Sequence, residues 1–217
     1  MEKFKKYLVL GILFFLPISV YIFFASGKDN FARLPVLTPS VMELEGATTL
    51  EGEPVLLKDN ITILGFFGED PMQQKVSAFN LAHKIYKKNH GFEDFQLVVL
   101  IPEEATETAR ELKATIAQIA DTEKWKFAVT SSETIAAVFR SLETQYELQP
   151  DLSSDYVFII DKGRNLRGRD DDEDAGVLYG FKAQDIAEVN NKMSDDVKVL
   201  LAEYRLALKK YKADRKI

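Results

Sequence analysis

Residues 61–67, Ile-Thr-Ile-Leu-Gly-Phe-Phe, are the most restrictive stretch of the chain. Apolar side chains occupy both odd and even positions, so a strand here must be covered on both faces, as a central strand is in a layered α/β domain. Gly68 breaks the run, and Pro71 suits the first turn of a helix, where the N–H it lacks would have no intrahelical partner. The amphipathic segment 72–88 follows, ending at Asn89-His90-Gly91. A strand, a tight loop and a helix are expected, with further elements to cover both faces of that strand.

The later sequence supplies them. Residues 95–101 are a second apolar run closed by Pro102, and 125–129 are a third strand candidate. Between them, 104–121 places Ala105, Ala109, Leu112, Ile116 and Ile119 on one helical face. Thr130-Ser131-Ser132-Glu133 reads as a capping box in which Thr130 caps a helix burying Ile135, Val138, Phe139 and Leu142. Residues 156–160 are a fourth strand, and Asp161-Lys162-Gly163-Arg164 is a turn in which Gly163 can take positive φ. A long helix is expected from about Ala183, with Ile186, Val189, Met193, Val197, Leu200, Tyr204, Leu208 and Tyr211 as its stripe. Its end carries Lys209, Lys210, Lys212, Arg215 and Lys216, which suits the negative pole of a helix. Two apolar strands joined by a helix predict a right-handed parallel unit, and a hairpin and terminal helix after it give the order of a thioredoxin-like domain.

The N-terminus has a different character. No charge occurs between Tyr7 and Gly27, and about 20 apolar residues suffice to cross a bilayer core. Residues 7–24 therefore read as a transmembrane helix, with Tyr7 and Tyr21 near its ends and a tolerable Pro17 inside. Lys3, Lys5 and Lys6 before it place the N-terminus in the cytoplasm and the rest across the membrane. The competing reading is a signal peptide cut near Ala25-Ser26-Gly27, for which the apolar region is long. The expected organisation is an anchor at 1–27, a linker arm at 28–47 punctuated by Pro35 and Pro39, and a domain at 48–217 that opens with a short hairpin around Glu51-Gly52-Glu53.

Cysteine is absent, which removes disulfides, thiol catalysis and every thiolate metal site. The formal net charge of −6 gives nucleic-acid binding no electrostatic support.

Two segments together resemble a known family. Ile63-Leu64-Gly65-Phe66-Phe67-Gly68, and later Tyr156-Val157-Phe158-Ile159-Ile160-Asp161-Lys162-Gly163-Arg164-Asn165-Leu166-Arg167-Gly168, are similar to segments of the Sco/SenC family of membrane-anchored thioredoxin-like copper chaperones. The segment Asp195-Asp196-Val197-Lys198-Val199-Leu200-Leu201-Ala202-Glu203-Tyr204 is similar to that family's closing helix. The resemblance implies a Sco-type thioredoxin-like domain behind a single N-terminal span. In the family, a Cys-x-x-x-Cys motif and a distant His form a copper site used in assembling the copper centre of cytochrome oxidase. Those ligands fall here on Met72, Val76 and about Ser153, so the resemblance carries the fold without the family's chemistry.

The other candidate groups have plain readings. Met72 reads as a core residue of the first helical turn, His83 as a surface residue, and His90 as a partner of the helix dipole. Glu69 and Asp70 read as helix N-terminal electrostatics, and Ser153 and Ser154 have no catalytic histidine in a readable motif. The run Asp170, Asp171, Asp172, Glu173, Asp174 lacks the glycine and glutamate of a calcium loop, Ala175 and Phe181 standing in those places. It reads as a solvated loop partly neutralised by Arg164, Arg167 and Arg169, and as the first place to look for docking of a basic partner. The expectation is a non-enzymatic, cofactor-free binding or assembly module. It is a single-pass protein of the inner (cytoplasmic) membrane whose domain faces the periplasm, and it acts with a protein partner. The alternative is weak copper handling through Met72 and a histidine.

Overall fold

The structure, a computed structural model, describes residues 2–26 and 33–214 in two compact units divided after Ala32. The first unit is helix α1 (Glu2–Ser26), with Pro17 inside it. Its window Lys5–Phe23 is 19 residues long and apolar enough to cross a membrane, a length of about 28 Å at the α-helical rise.

The second unit is built on a sheet whose strands are β1 (Val36–Thr38), β2 (Ile61–Phe66), β3 (Phe95–Ile101), β4 (Trp125–Val129), β5 (Tyr156–Ile160) and β6 (Leu166–Arg167). They lie side by side in the order β1-β6-β5-β2-β3-β4. β2, β3 and β4 are parallel, while β5, β6 and β1 alternate in direction beyond β2. Every residue of β2 and β3 is buried, as the two-sided apolar pattern requires.

The two faces of β2 follow its alternation. Ile61 and Ile63 join a cluster with Leu97, Val99, Ala109, Leu112, Ile116, Val197 and Leu200. Leu64 and Phe66 join the opposite cluster with Val98, Leu100, Ile135, Val138, Phe158 and Ile160. Helices α4 (Thr106–Ala117) and α7 (Ser194–Asp214) therefore cover one face and α5 (Ser132–Ser141) the other. On the first face lies the composite helix after β2, comprising a 3₁₀ turn Pro71–Gln74, α2 (Lys75–Leu81), a π-helical turn Ala82–Tyr86 and α3 (Lys87–Asn89).

Several local expectations are corrected. Residues 33–47 are not an arm, because β1 pairs with β6 and Leu34, Val41, Leu44 and Ala47 are buried. The part of that expectation at 28–32 lies outside the described residues. Ser131, not Thr130, caps α5, its hydroxyl accepting from the Thr134 N–H. In the β5–β6 turn the positive φ, 61°, belongs to Arg164 and not to Gly163.

The acidic run is not a loop either. β7 (Arg169–Asp172) and β8 (Gly176–Leu178) form a separate hairpin, and β9 (Phe181–Lys182) pairs with β5. Asp172 is buried and its carboxylate accepts from the N–H groups of Asp174 and Ala175, which closes the hairpin turn. The last helical stretch begins with α6 (Ile186–Glu188), capped by Asp185, and passes through a π-helical turn, Val189–Met193, into α7. Ile186 leaves the buried stripe, being 52% exposed, whereas Val189, Met193, Val197 and Leu200 stay in it.

Candidate functional site

The end of β2 meets a second segment. Phe67 and Ser153 form an isolated antiparallel bridge, and the Ser154 N–H donates to the Phe66 carbonyl at 3.0 Å. The Glu69 N–H donates to the Asp151 carbonyl at 2.9 Å. Gly68 has φ +67°, and a Cβ there would stand 2.3 Å from the Asp151 carbonyl oxygen, so only glycine allows this approach. The 149–153 turn is held by Ser153 N–H to Asp151 Oδ1 (3.1 Å), Ser153 Oγ–H to the same oxygen (2.7 Å), and Leu152 N–H to the Gln149 carbonyl (2.9 Å). Leu152 carries φ +64° within it. The sequence reading did not single out Asp151 or Leu152, although Pro150-Asp151 is a turn signal.

Helix formation follows at once. The Asp70 carboxylate accepts from the Met72 N–H at 3.2 Å, and Pro71 takes the first helical position. Met72 is partly buried against the first apolar cluster, the core position expected for it. Val76, one helical turn on, is 59% exposed. Ser153 is buried, with its hydroxyl committed to Asp151. Met72 and Val76 thus stand on the first turns after β2 and Ser153 on the segment bridged to its end, and they offer a packed thioether, an isopropyl group and an engaged hydroxyl. Soft metal ions want thiolate, exposed thioether or imidazole.

The histidines are elsewhere. His83 is exposed, and His90 places Nδ1 3.3 Å from the Tyr86 carbonyl and 3.1 Å from the Lys87 carbonyl at the helix end. Its ring stacks on Tyr86 at 5.6 Å. Met72 lies about 16 Å in helical rise from His83 and further from His90, so a site shared between Met72 and either histidine is not formed. Among the described residues no group of three or more His, Cys, Asp or Glu is placed to hold a metal ion.

The acidic hairpin is clasped from below. Lys192 donates to Asp172 (2.8 Å) and Asp174 (2.7 Å), and Arg169 binds Asp196 through Nε and Nη2 at 2.8–3.1 Å. The Lys192 hydrogen bond holds the Asp172 carboxyl below the usual range, and Lys192 is itself pushed up to about 12 by Asp172 and Asp174. Burial pushes the Asp196 carboxyl up against the pull of Arg169. Asp170, Asp171, Glu173 and Asp174 remain exposed. Arg167, expected to neutralise this run, is instead buried and pairs with Asp161 (2.8 Å) and Glu203 (2.7 Å).

No family model and no curated protein matches the sequence. Solved structures do match the shape. A SCO1/SenC family lipoprotein from Bacillus anthracis str. Ames superimposes with a TM-score of 0.51 at 15% identity, over 82% of this chain and 99% of its own. A candidate protein disulfide isomerase from Bacteroides thetaiotaomicron gives 0.52 at 12% identity, over 79% and 95%. A candidate electron transport protein from Aquifex aeolicus VF5 gives 0.50 at 16% identity, over 77% and 96%. At such identities the likeness establishes architecture and not chemistry. The globular unit has the thioredoxin-like fold, in the form that the Sco/SenC lipoprotein also takes, built here without a single cysteine.

Proposed function

We propose that this chain is a non-enzymatic, membrane-anchored binding or assembly module that uses a Sco-type scaffold without copper or thiol chemistry. The observation that carries this reading is the state of the junction: Met72 packed, Val76 without a donor atom, and the Ser153 hydroxyl engaged by Asp151 at 2.7 Å. Thiol–disulfide exchange needs a thiolate, and the chain has no cysteine. The apolar helix α1 acts as a single span of the cytoplasmic membrane, and Lys3, Lys5 and Lys6 keep its start in the cytoplasm and the domain in the periplasm. The resemblance to the Sco/SenC family favours respiratory oxidase biogenesis as the setting.

The test is to tag the full-length chain at its C-terminus, extract membranes in mild detergent, and identify proteins recovered in stoichiometric amount. Copper(I) is titrated into the same preparation against a chromogenic chelator. Oxidase subunits or copper-assembly factors without chelator-competitive copper binding are the expected result. Tight copper(I) binding would overturn the non-metal reading, and an unrelated envelope complex would overturn the oxidase setting.

A further inference from the structure

A groove opens at the end of the sheet opposite the junction, about 17 Å away along β2. Ile61 and Phe95, the first residues of β2 and β3, line a cavity of about 260 Å³ together with Phe92, Leu201 and Tyr204. A second cavity of about 220 Å³ shares Phe92 and Leu201 with it, and Arg205 lines both. Leu201 and Arg205 are four residues apart on α7, with Tyr204 beside them, so the helix turns one face to the groove. The facing wall is held in place. The Phe95 N–H donates to the Phe92 carbonyl at 3.3 Å, Lys124 donates to the same carbonyl, and the Ile61 N–H donates to the Asp94 carbonyl at 2.7 Å. Phe92 is 38% exposed, an apolar ring left open to water on a fixed loop.

We propose that this groove binds a small monocarboxylate with an apolar, ring-sized body, its carboxylate held by the Arg205 guanidinium and its body against Phe92, Leu201 and Tyr204. The cations nearby are otherwise engaged. Lys162 pairs with Asp94 and lies 5.7 Å over the Tyr204 ring, and Lys198 pairs with Asp195. Glu203, the acid next to Arg205 in sequence, is taken by Arg167. Arg205 has neither an ion-pair nor a hydrogen-bond partner among the described residues, which leaves its fork of donors free for a carboxylate. Glu93 and Asp94 on the facing wall of the larger cavity repel a second negative group, which selects one carboxylate and not two. The cavity is smaller than the about 300–1,000 Å³ of sites for drug-sized ligands, and its wall is preformed, so a compact ligand pays little to enter. The groove lies apart from Met72, Val76 and Ser153, so this proposal does not depend on the non-metal reading of the junction.

The test titrates the full-length chain in phosphatidylcholine nanodiscs with para-fluorophenylpropanoate, followed by broadening of its fluorine NMR line, with empty discs as the blank. The expected result is saturable binding of the acid and about tenfold weaker binding of the corresponding neutral amide. Arg205→Gln should bring the acid down to the level of the amide, and Phe92→Ala should weaken both. Arg205→Lys keeps the charge without the fork and should fall between parent and Arg205→Gln, a ranking that a folding defect would not produce. Arg140→Gln, at an exposed arginine on α5 away from the groove, should bind as the parent does. Equal affinity for acid and amide, an Arg205→Gln variant as tight as the parent, or no saturable broadening above empty discs overturns the proposal. An equal loss in Arg140→Gln also overturns it, because it marks a general attraction of anions and not a site.

Discussion

Ser153 is bridged to Phe67, which brings a segment remote in sequence onto the end of the central strand. Ser153 is thereby delivered to the junction. The delivery depends on backbone groups and on Gly68, and these do not depend on which side chains stand at Met72, Val76 and Ser153.

Gly68→Ala tests that dependence. A methyl group at φ +67° would lie 2.3 Å from the Asp151 carbonyl and 2.9 Å from the Ser153 nitrogen, both backbone atoms that cannot swing aside. The expected loss is about 3 kcal/mol of unfolding free energy, from backbone strain and separation of the two loops. Chemical denaturation of the variant beside the parent measures it, and a change below the reproducibility of the curve would show that the loops are not held together as described.

Arg167→Met addresses the buried ion pair. The Arg167 and Asp161 side chains are 6% and 3% exposed, so removing the cation leaves a carboxylate in the interior. Asp161 keeps hydrogen bonds from the N–H groups of Gly163 and Asn165, which softens the loss but does not restore the charge balance. The expected cost is about 3 kcal/mol. Glu203→Gln, at a side chain 27% exposed, should cost less than about 1 kcal/mol. Thermal melts that rank the two variants the other way would refute the central place given to Asp161.

The clasp under the acidic hairpin has a defined pH window. Asp172 has a folded pKa lowered by its hydrogen bond from Lys192. Its stabilisation is therefore present above the unfolded carboxylate value of about 3.9 and is lost as pH falls through the folded value. Lys192, raised to about 12, contributes below its unfolded value and loses that contribution as pH rises through about 12. Asp196, pushed up by burial, works in the opposite sense and favours the folded state at acid pH, so single-site variants are needed to separate them. Asp172→Asn should flatten the acid limb of the stability curve and leave its slope near neutrality unchanged. An acid limb as steep as the parent's would show that Asp172 does not titrate with folding.

Much of this fold is legible in the sequence because burial on both faces writes itself as uninterrupted apolar runs. β2 and β3 are readable for that reason, and so are the buried positions Ala109, Leu112 and Ile116 of α4. β1 is not readable, since three residues in a Pro-punctuated stretch become a strand only by pairing with β6, about 130 positions later. Arg167 misleads for a related reason: a charged residue near an acidic run suggests surface neutralisation, and only the tertiary fold reveals its buried partners Asp161 and Glu203. Charge likewise conceals the β7–β8 hairpin, because Asp172 looks solvated until Lys192 and the turn N–H groups are seen around it. At the junction, the core place of Met72 follows from the strand-to-helix pattern and Val76 is singled out only by the family resemblance, while the turn that positions Ser153 needs the Asp151 contacts with Ser153 and Glu69.

The functional reading is tested most directly by introducing the donors that the family resemblance places at these positions. Met72→Cys and Val76→Cys place two thiols one helical turn apart, and Ser153→His sets an imidazole on the segment bridged to Phe67. If the scaffold has kept the shape of the site and lost only its donors, the triple variant should take up close to one equivalent of copper(I) in competition with a chromogenic chelator, while the parent takes up none. The double cysteine variant without the histidine should bind more weakly, because two thiolates leave the third coordination position to solvent. Closure of the two introduced thiols to a disulfide under mild oxidation gives an independent readout that the two positions face one another. A triple variant with no more affinity for copper than the parent would mean that the junction does not have the geometry of such a site, and the binding surface should then be sought away from it.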